Sequence, residues 1–89
     1  MGVKEDITWL KDDEEGVKKV FLLIAGKGSA RLRELHELFG TEDWWPVKSH
    51  IRALVDRGMV AEIEGSYRLT EGGRKVLEGF KAMEYVEPV

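Results

Sequence analysis

The sequence predicts a small, mainly helical α+β domain with three helices, a two-stranded β-hairpin and a C-terminal helix. Three observations favour this fold class. Apolar residues recur at intervals of three and four in four separate segments, which is the spacing of one helix face. A glycine follows each of the first three segments, where helices commonly end. Before the fourth segment, two short runs flank Glu64-Gly65, a two-residue turn typical of a β-hairpin.

The first eleven residues are predicted to form an N-terminal arm, and residues 12–89 the domain proper. Ile7, Trp9 and Leu10 lie among polar neighbours in this arm. That pattern favours a short strand or extended segment that packs on the body or on a second subunit. No repeat, low-complexity tract or linker divides the rest of the chain.

The first helix is predicted to begin near Asp12, because Asp12 and Glu15 have the spacing of a capping box. It should end at Gly26 or Gly28. The broad apolar face of this helix predicts burial on more than one side. Its inward residues are predicted to be Val17, Val20, Phe21 and Ile24.

The second helix is predicted to be capped by Ser29 and to end at Gly40. The third should run from about Trp45 to Arg57 and stop at Gly58, after a turn over residues 41–46. The inward residues are predicted to be Leu32, Leu35, Leu38 and Phe39 in the second helix, and Val47, Ile51, Leu54 and Val55 in the third.

The hairpin is predicted to pair residues 59–63 with residues 66–69. Thr70 should start the last helix. The adjacent Gly72 and Gly73 favour close packing where the hairpin turns into that helix. The apolar face of the last helix is predicted to comprise Val76, Leu77, Phe80 and Met83.

Composition excludes several classes of protein. The chain has 89 residues and no cysteine, so it has no disulfide, thiolate zinc site or thiol nucleophile. No apolar run approaches the ~20 residues that cross a bilayer, and the acidic start is unlike a signal peptide. The prediction is therefore a single cytoplasmic domain without a membrane segment.

Amide side chains are missing from the composition. The chain contains no Asn and no Gln, and 35% of its residues are charged. This bias is typical of hyperthermophile proteins, and it predicts a thermophilic, archaeal source.

The charge of the chain is unevenly distributed. The net charge is −3, but residues 27–75 carry nine bases and eight acids, so the acidity lies mainly at the two ends. Affinity for a nucleic-acid duplex comes largely from neutralised phosphates. The near-neutral centre therefore permits a local basic face and does not by itself predict one.

Two motifs resemble those of the winged helix-turn-helix family. VKSHIRALVDRGMV is similar to the recognition helix and following strand of MarR-, ArsR- and PadR-type regulators, and YRLTEGGRKVL resembles the segment that leaves the wing and opens the last helix. The likeness spans roughly residues 17–80. It implies a winged-helix fold, with the hairpin as the wing, and a transcriptional regulator that binds double-stranded DNA through helix 46–57.

The resemblance also implies which residues contact DNA. On the third helix these are Lys48, Ser49 and Arg52, with His50 at the margin; Arg31 and Arg33 would contact phosphate, and Arg68 would be the wing contact. The alternative is that the third helix carries only the solvated polar face of any amphipathic helix.

A second reading is a winged-helix protein-interaction module in a replication or transcription assembly. Glu42 and Asp43 precede the third helix, and the short wing is acidic. Trp44 and Trp45 would then bind the protein partner. These tryptophans also fit two other roles, filling the gap between helices or stacking on a nucleobase.

No enzymatic site is predicted. The two histidines lie on different helices without supporting ligands, so neither a metal nor another cofactor is expected. A homodimer is expected because it would double the few phosphate contacts of one domain. The candidate dimer elements are the apolar arm (Ile7, Trp9, Leu10) and the end of the last helix (Met83, Tyr85, Val86).

Overall fold

The chain forms a mainly helical structure with a small antiparallel sheet. The computed structural model describes the backbone of residues 2–12, 16–40 and 42–86, and side chains within these ranges up to residue 82. The elements in these ranges are α1 (Val3–Lys11), α2 (Val17–Lys27), β1 (Ala30–Arg31), α3 (Leu32–Phe39), α4 (Trp44–Asp56), β2 (Val60–Ile63), β3 (Ser66–Leu69) and α5 (Glu71–Val86). None of the helices in the described ranges is both long and apolar enough to span a membrane.

The N-terminal segment is a helix, so the prediction of an extended arm or strand is wrong. Val3, Ile7 and Leu10 fall at the i, i+4 and i+7 positions of α1, which is a helical stripe. The helix packs against α5, and a Cβ atom on Gly79 would come within 2.5 Å of the Ile7 side chain. Ile7 and Leu10 are buried within this one chain and are therefore not free to form a dimer.

The start of α2 differs from the prediction. Asp12 caps the C-terminus of α1, and α2 begins at Val17 after Gly16. The predicted capping partner Glu15 lies outside the described residues. The end of α2 agrees with the sequence, since Lys27 is its last residue and Gly28 follows with a positive φ of 79°.

The sheet has three strands in the order β1-β3-β2. The predicted hairpin is confirmed: Val60 pairs with Leu69, Ile63 with Ser66, and Glu64 and Gly65 form the turn. Strand β1 is a two-residue bridge that the sequence did not predict.

The predicted cap of the second helix is also corrected. Because Ala30 and Arg31 pair with β3, α3 starts at Leu32, and Ser29 does not cap it. The Arg31 backbone N–H donates to the Glu34 carboxylate at 3.0 Å instead.

A hydrogen-bonded junction fixes the end of α4 relative to the hairpin and α5. The Gly58 and Met59 amides donate to the carbonyls of Val55 and Leu54, which is a Schellman ending, and Gly58 has a φ of 77°. Thr70 caps α5 by accepting from the Gly73 N–H at 3.0 Å, and it donates to the Gly58 carbonyl. The predicted stop at Gly58 and start at Thr70 are therefore confirmed.

The core lies between α2, α3, α4 and the sheet, and it extends to the inner faces of α1 and α5. Two side chains predicted to face inward do not: Leu38 is 48% exposed and Val55 is 39% exposed. Each lies at the edge of its helix's apolar stripe, where neighbouring elements leave it uncovered. Met83 lies beyond the described side chains. The largest fully buried side chains are Phe21, Leu10, Ile24, Leu35, Leu54, Met59, Val20, Val47, Val60 and Val76.

Candidate nucleic-acid interface

A groove runs along the exposed side of α4, between this helix and the sheet. It encloses about 520 Å³. Helix α4 contributes residues at helical spacing over about 16 Å, the rise of eleven residues. The lining residues are Leu32 from α3, Trp45, Lys48, Ser49, Ile51, Arg52, Val55 and Asp56 from α4, Glu62 from β2 and Tyr67 from β3.

The charges in the groove are separated along α4. Lys48 and Arg52 lie in the second and third turns of the helix, whereas Asp56 lies at its C-terminal end. Glu62 approaches from β2. The predicted trio of Lys48, Ser49 and Arg52 is exposed and lines one continuous surface. The basic part of the groove is therefore local and is bounded by carboxylates.

The Tyr67 hydroxyl is hydrogen-bonded to one of these carboxylates, that of Glu62. Glu62 and Tyr67 are cross-strand partners on the groove face of the hairpin. Burial raises the pKa of the Tyr67 hydroxyl, and the charge of Glu62 and its hydrogen bond with that hydroxyl add to the rise. Tyr67 thus remains protonated at neutral pH and keeps the Glu62 carboxylate at the groove wall.

The two adjacent tryptophans have different environments. The Trp44 ring stacks on the His36 imidazole, with ring centres 3.9 Å apart and planes 6° apart. Trp45 is 74% exposed and lines the groove. Of the three roles considered for these tryptophans, filling the gap between helices does not fit Trp45, because a turn of about 100° per residue directs neighbours on a helix to different sides.

His50 is not part of the exposed surface, which corrects its predicted place among the DNA contacts. Its side chain is 6% exposed and lies against Phe39, with ring centres 5.6 Å apart. A Cβ on Gly16 would lie 3.3 Å from the His50 Nε2 atom. His50 is thus enclosed between the start of α2, α3 and α4, and it cannot reach a ligand in the groove.

The predicted wing contact lies on a different surface from the groove. Successive residues along a strand point to opposite faces of a sheet. Tyr67 faces the groove, so Arg68 faces the other way, and Arg31 shares that outer face because it pairs with Ser66. The Arg31 guanidinium reaches the hairpin turn, 3.9 Å from the Cβ position of Gly65.

Five of the predicted DNA-contacting residues therefore form two separate sets. Lys48, Ser49 and Arg52 lie in the groove, whereas Arg31 and Arg68 lie on the outer sheet face. Arg33 is exposed on α3. Sequence reasoning missed this separation because it depends on strand β1 and on the register of the hairpin.

Comparison of the chain with protein-family models, with curated proteins and with solved structures found no match in any of the three.

Proposed function

We propose that this chain is a small winged-helix DNA-binding protein that acts as a transcriptional regulator. The succession of α2, α3, α4 and the β2–β3 hairpin has the order of a winged helix. Helix α4 would be the recognition helix, the hairpin the wing and α5 the closing helix. The motifs quoted from residues 47–77 supply the further resemblance.

The observation that carries the proposal is the exposure of Lys48, Ser49 and Arg52 on one face of α4. A lysine or arginine at the major groove can donate to guanine O6 and N7, and a serine hydroxyl can bond a phosphate or a base edge. These residues recur at intervals of one, three and four, so a single approach of α4 presents all three. Asp56, at the C-terminal end of α4, would then lie away from the DNA backbone.

The outer sheet face would contribute less to DNA binding than α4 does. Arg31 and Arg68 lie on the sheet face that points away from the groove, so they would not join α4 in the major groove. We assign them, with Arg33, to phosphate contacts beside the major groove. One domain offers few such contacts. We therefore propose a homodimer on DNA, with its interface outside the buried Ile7 and Leu10.

The test is the salt dependence of binding to a fluorescent duplex of mixed sequence, followed by anisotropy. A duplex-binding protein should lose affinity steeply between about 50 and 200 mM salt, with a slope of about −0.9 in log–log form for each neutralised phosphate. Binding that is absent at low salt, or that does not respond to salt, would refute the proposal.

A second candidate is a protein-interaction module in a replication or transcription assembly. Trp45 favours it, because an aromatic side chain that lines a surface groove and is 74% exposed is typical of an interface anchor. The acids Asp56 and Glu62 also suit a protein partner better than a phosphate backbone. This candidate would be favoured if the wild-type chain does not bind DNA but recovers a protein partner that Trp45→Ala no longer binds.

A further inference from the structure

Trp45 is the most exposed of the large apolar side chains in the described part of the chain, and it lies at the front of the proposed DNA-contacting face. It precedes Ser49 by four residues and Arg52 by seven, so all three project from the same side of α4. Val55, the other exposed apolar residue of the groove, is ten residues further along the helix. Phosphate contacts do not explain why the largely apolar ring of Trp45 is exposed at this position.

The backbone that carries Trp45 is held in place by contacts of the residues just before it. Trp44 is stacked on His36, and the His36 Nε2 atom lies 3.3 Å from the Glu42 carbonyl oxygen. Asp43 stands at the N-cap position of α4, where a carboxylate is favoured by the helix dipole. The first turn of α4 is therefore anchored to α3, while Trp45 remains in solvent.

We propose that Trp45 reads the C5-methyl group of a thymine in the major groove. This inference rests on the proposed duplex binding by α4. The indole ring has one N–H donor and an otherwise apolar surface. Among the groups that base pairs present in the major groove, the thymine methyl is the apolar one. Trp45 is thus a specificity-determining residue, whereas Lys48 and Arg52 supply polar and ionic contacts.

The spacing on α4 places this thymine relative to the other contacts. Seven residues of helix separate Trp45 from Arg52, a rise of about 10 Å. Successive bases on a strand are about 3.4 Å apart along the duplex. The thymine should therefore lie within about three base pairs of the base or phosphate bound by Arg52, the limit that is reached if α4 is parallel to the duplex axis.

The experiment begins by enriching bound duplexes from a random pool with the full chain. Each thymine of the enriched site is then replaced by uracil, which removes only the methyl group. At one position we expect wild-type affinity to fall roughly fourfold, the equivalent of about 0.8 kcal/mol for one buried methyl-sized group. Trp45→Ala should bind the thymine and uracil duplexes equally, and Trp45→Phe should retain a preference for thymine.

Leu22→Ala is the matched control, because Leu22 is an exposed apolar residue of α2 that does not line the groove, and it should keep the wild-type ratio. Circular dichroism establishes that each variant is folded. Binding with no methyl-dependent position would overturn the role of Trp45 and leave the proposed function intact, as would a ratio unchanged in Trp45→Ala. Failure to bind any duplex at low salt would instead overturn both.

Discussion

Arg57 and Asp6 join the end of α4 to α1. The Arg57 guanidinium donates to the Asp6 carboxylate at 2.8 Å and lies 4.1 Å from the centre of the Trp9 ring. Asp6 is 6% exposed, so the ion pair is largely shielded from water. Through this contact the N-terminal helix becomes part of the same body as the proposed recognition helix.

The first prediction concerns this ion pair. Asp6→Ala should lower the free energy of unfolding by about 1–3 kcal/mol, because it deprives a partly buried guanidinium of its carboxylate. Denaturant unfolding measures the change. Glu5→Ala is the control, since Glu5 is exposed in the same helical turn and should change stability by less than about 0.5 kcal/mol. Equal effects from the two variants would show that the ion pair adds nothing.

The second prediction uses two adjacent glycines of α5. A Cβ on Gly73 would overlap the carbonyl oxygen of Met59, whereas a Cβ on Gly72 would meet Gly58 at an ordinary 3.5 Å. Gly73→Ala should therefore cost at least about 2 kcal/mol. Gly72→Ala should be neutral or stabilising by up to about 1 kcal/mol, because alanine favours helix. Thermal and denaturant unfolding of the pair would expose any reversal of this order.

The third prediction is a pH dependence. The pKa of Glu34 lies below its ordinary value of 4.5. The main cause is a hydrogen bond from the Arg31 backbone N–H, and a hydrogen bond from the charged Lys27 side chain adds to it. Because the folded-state pKa is depressed, the stabilisation is complete above the unfolded-state value and is lost as pH falls through the folded one. Glu34→Gln should therefore have a lower Tm than wild type at pH 7.

At a pH below the folded-state pKa of Glu34, the difference in Tm between wild type and Glu34→Gln should shrink. Glu37→Gln, an exposed change on the same helix, controls for the loss of one surface charge. A Tm difference for Glu34→Gln that is the same at both pH values would contradict the role of its carboxylate.

The fourth prediction compares two opposite charges in the groove. Arg52→Ala should weaken binding to mixed-sequence duplex and reduce the magnitude of the log–log salt slope by about one, because one positive charge that faces the DNA is lost. Glu62→Gln should strengthen binding, since it removes a carboxylate that faces the same groove. Lys75→Ala on α5 is the control and should leave anisotropy titrations unchanged. Equal weakening of binding by Arg52→Ala and Lys75→Ala would indicate a dependence on net charge alone.

The fifth prediction follows from the absence of amide side chains. If the composition reflects a hyperthermophilic source, the chain should unfold with a Tm well above the ~45–65 °C typical of mesophile domains. A circular dichroism melt within that range would remove the inference.

Local chemistry explains why much of the fold was readable from the sequence. The ending of α4 at Gly58 depends on a glycine with positive φ, and the hairpin on Glu64 and Gly65, both with positive φ. The start of α5 depends on the Thr70 hydroxyl. Each signal acts between residues that are close in sequence, so a short window of sequence contains it.

The sequence by itself determined the order of the central helices, the hairpin and the exposed trio of Lys48, Ser49 and Arg52, because spacing and turn residues govern these features. Tertiary structure decided the rest. It made residues 3–11 a helix through packing on α5, paired Ala30 and Arg31 with β3, and buried His50 while leaving Trp45 in solvent. It also placed Arg68 away from the groove. These outcomes depend on contacts between residues distant in sequence, which no local pattern encodes.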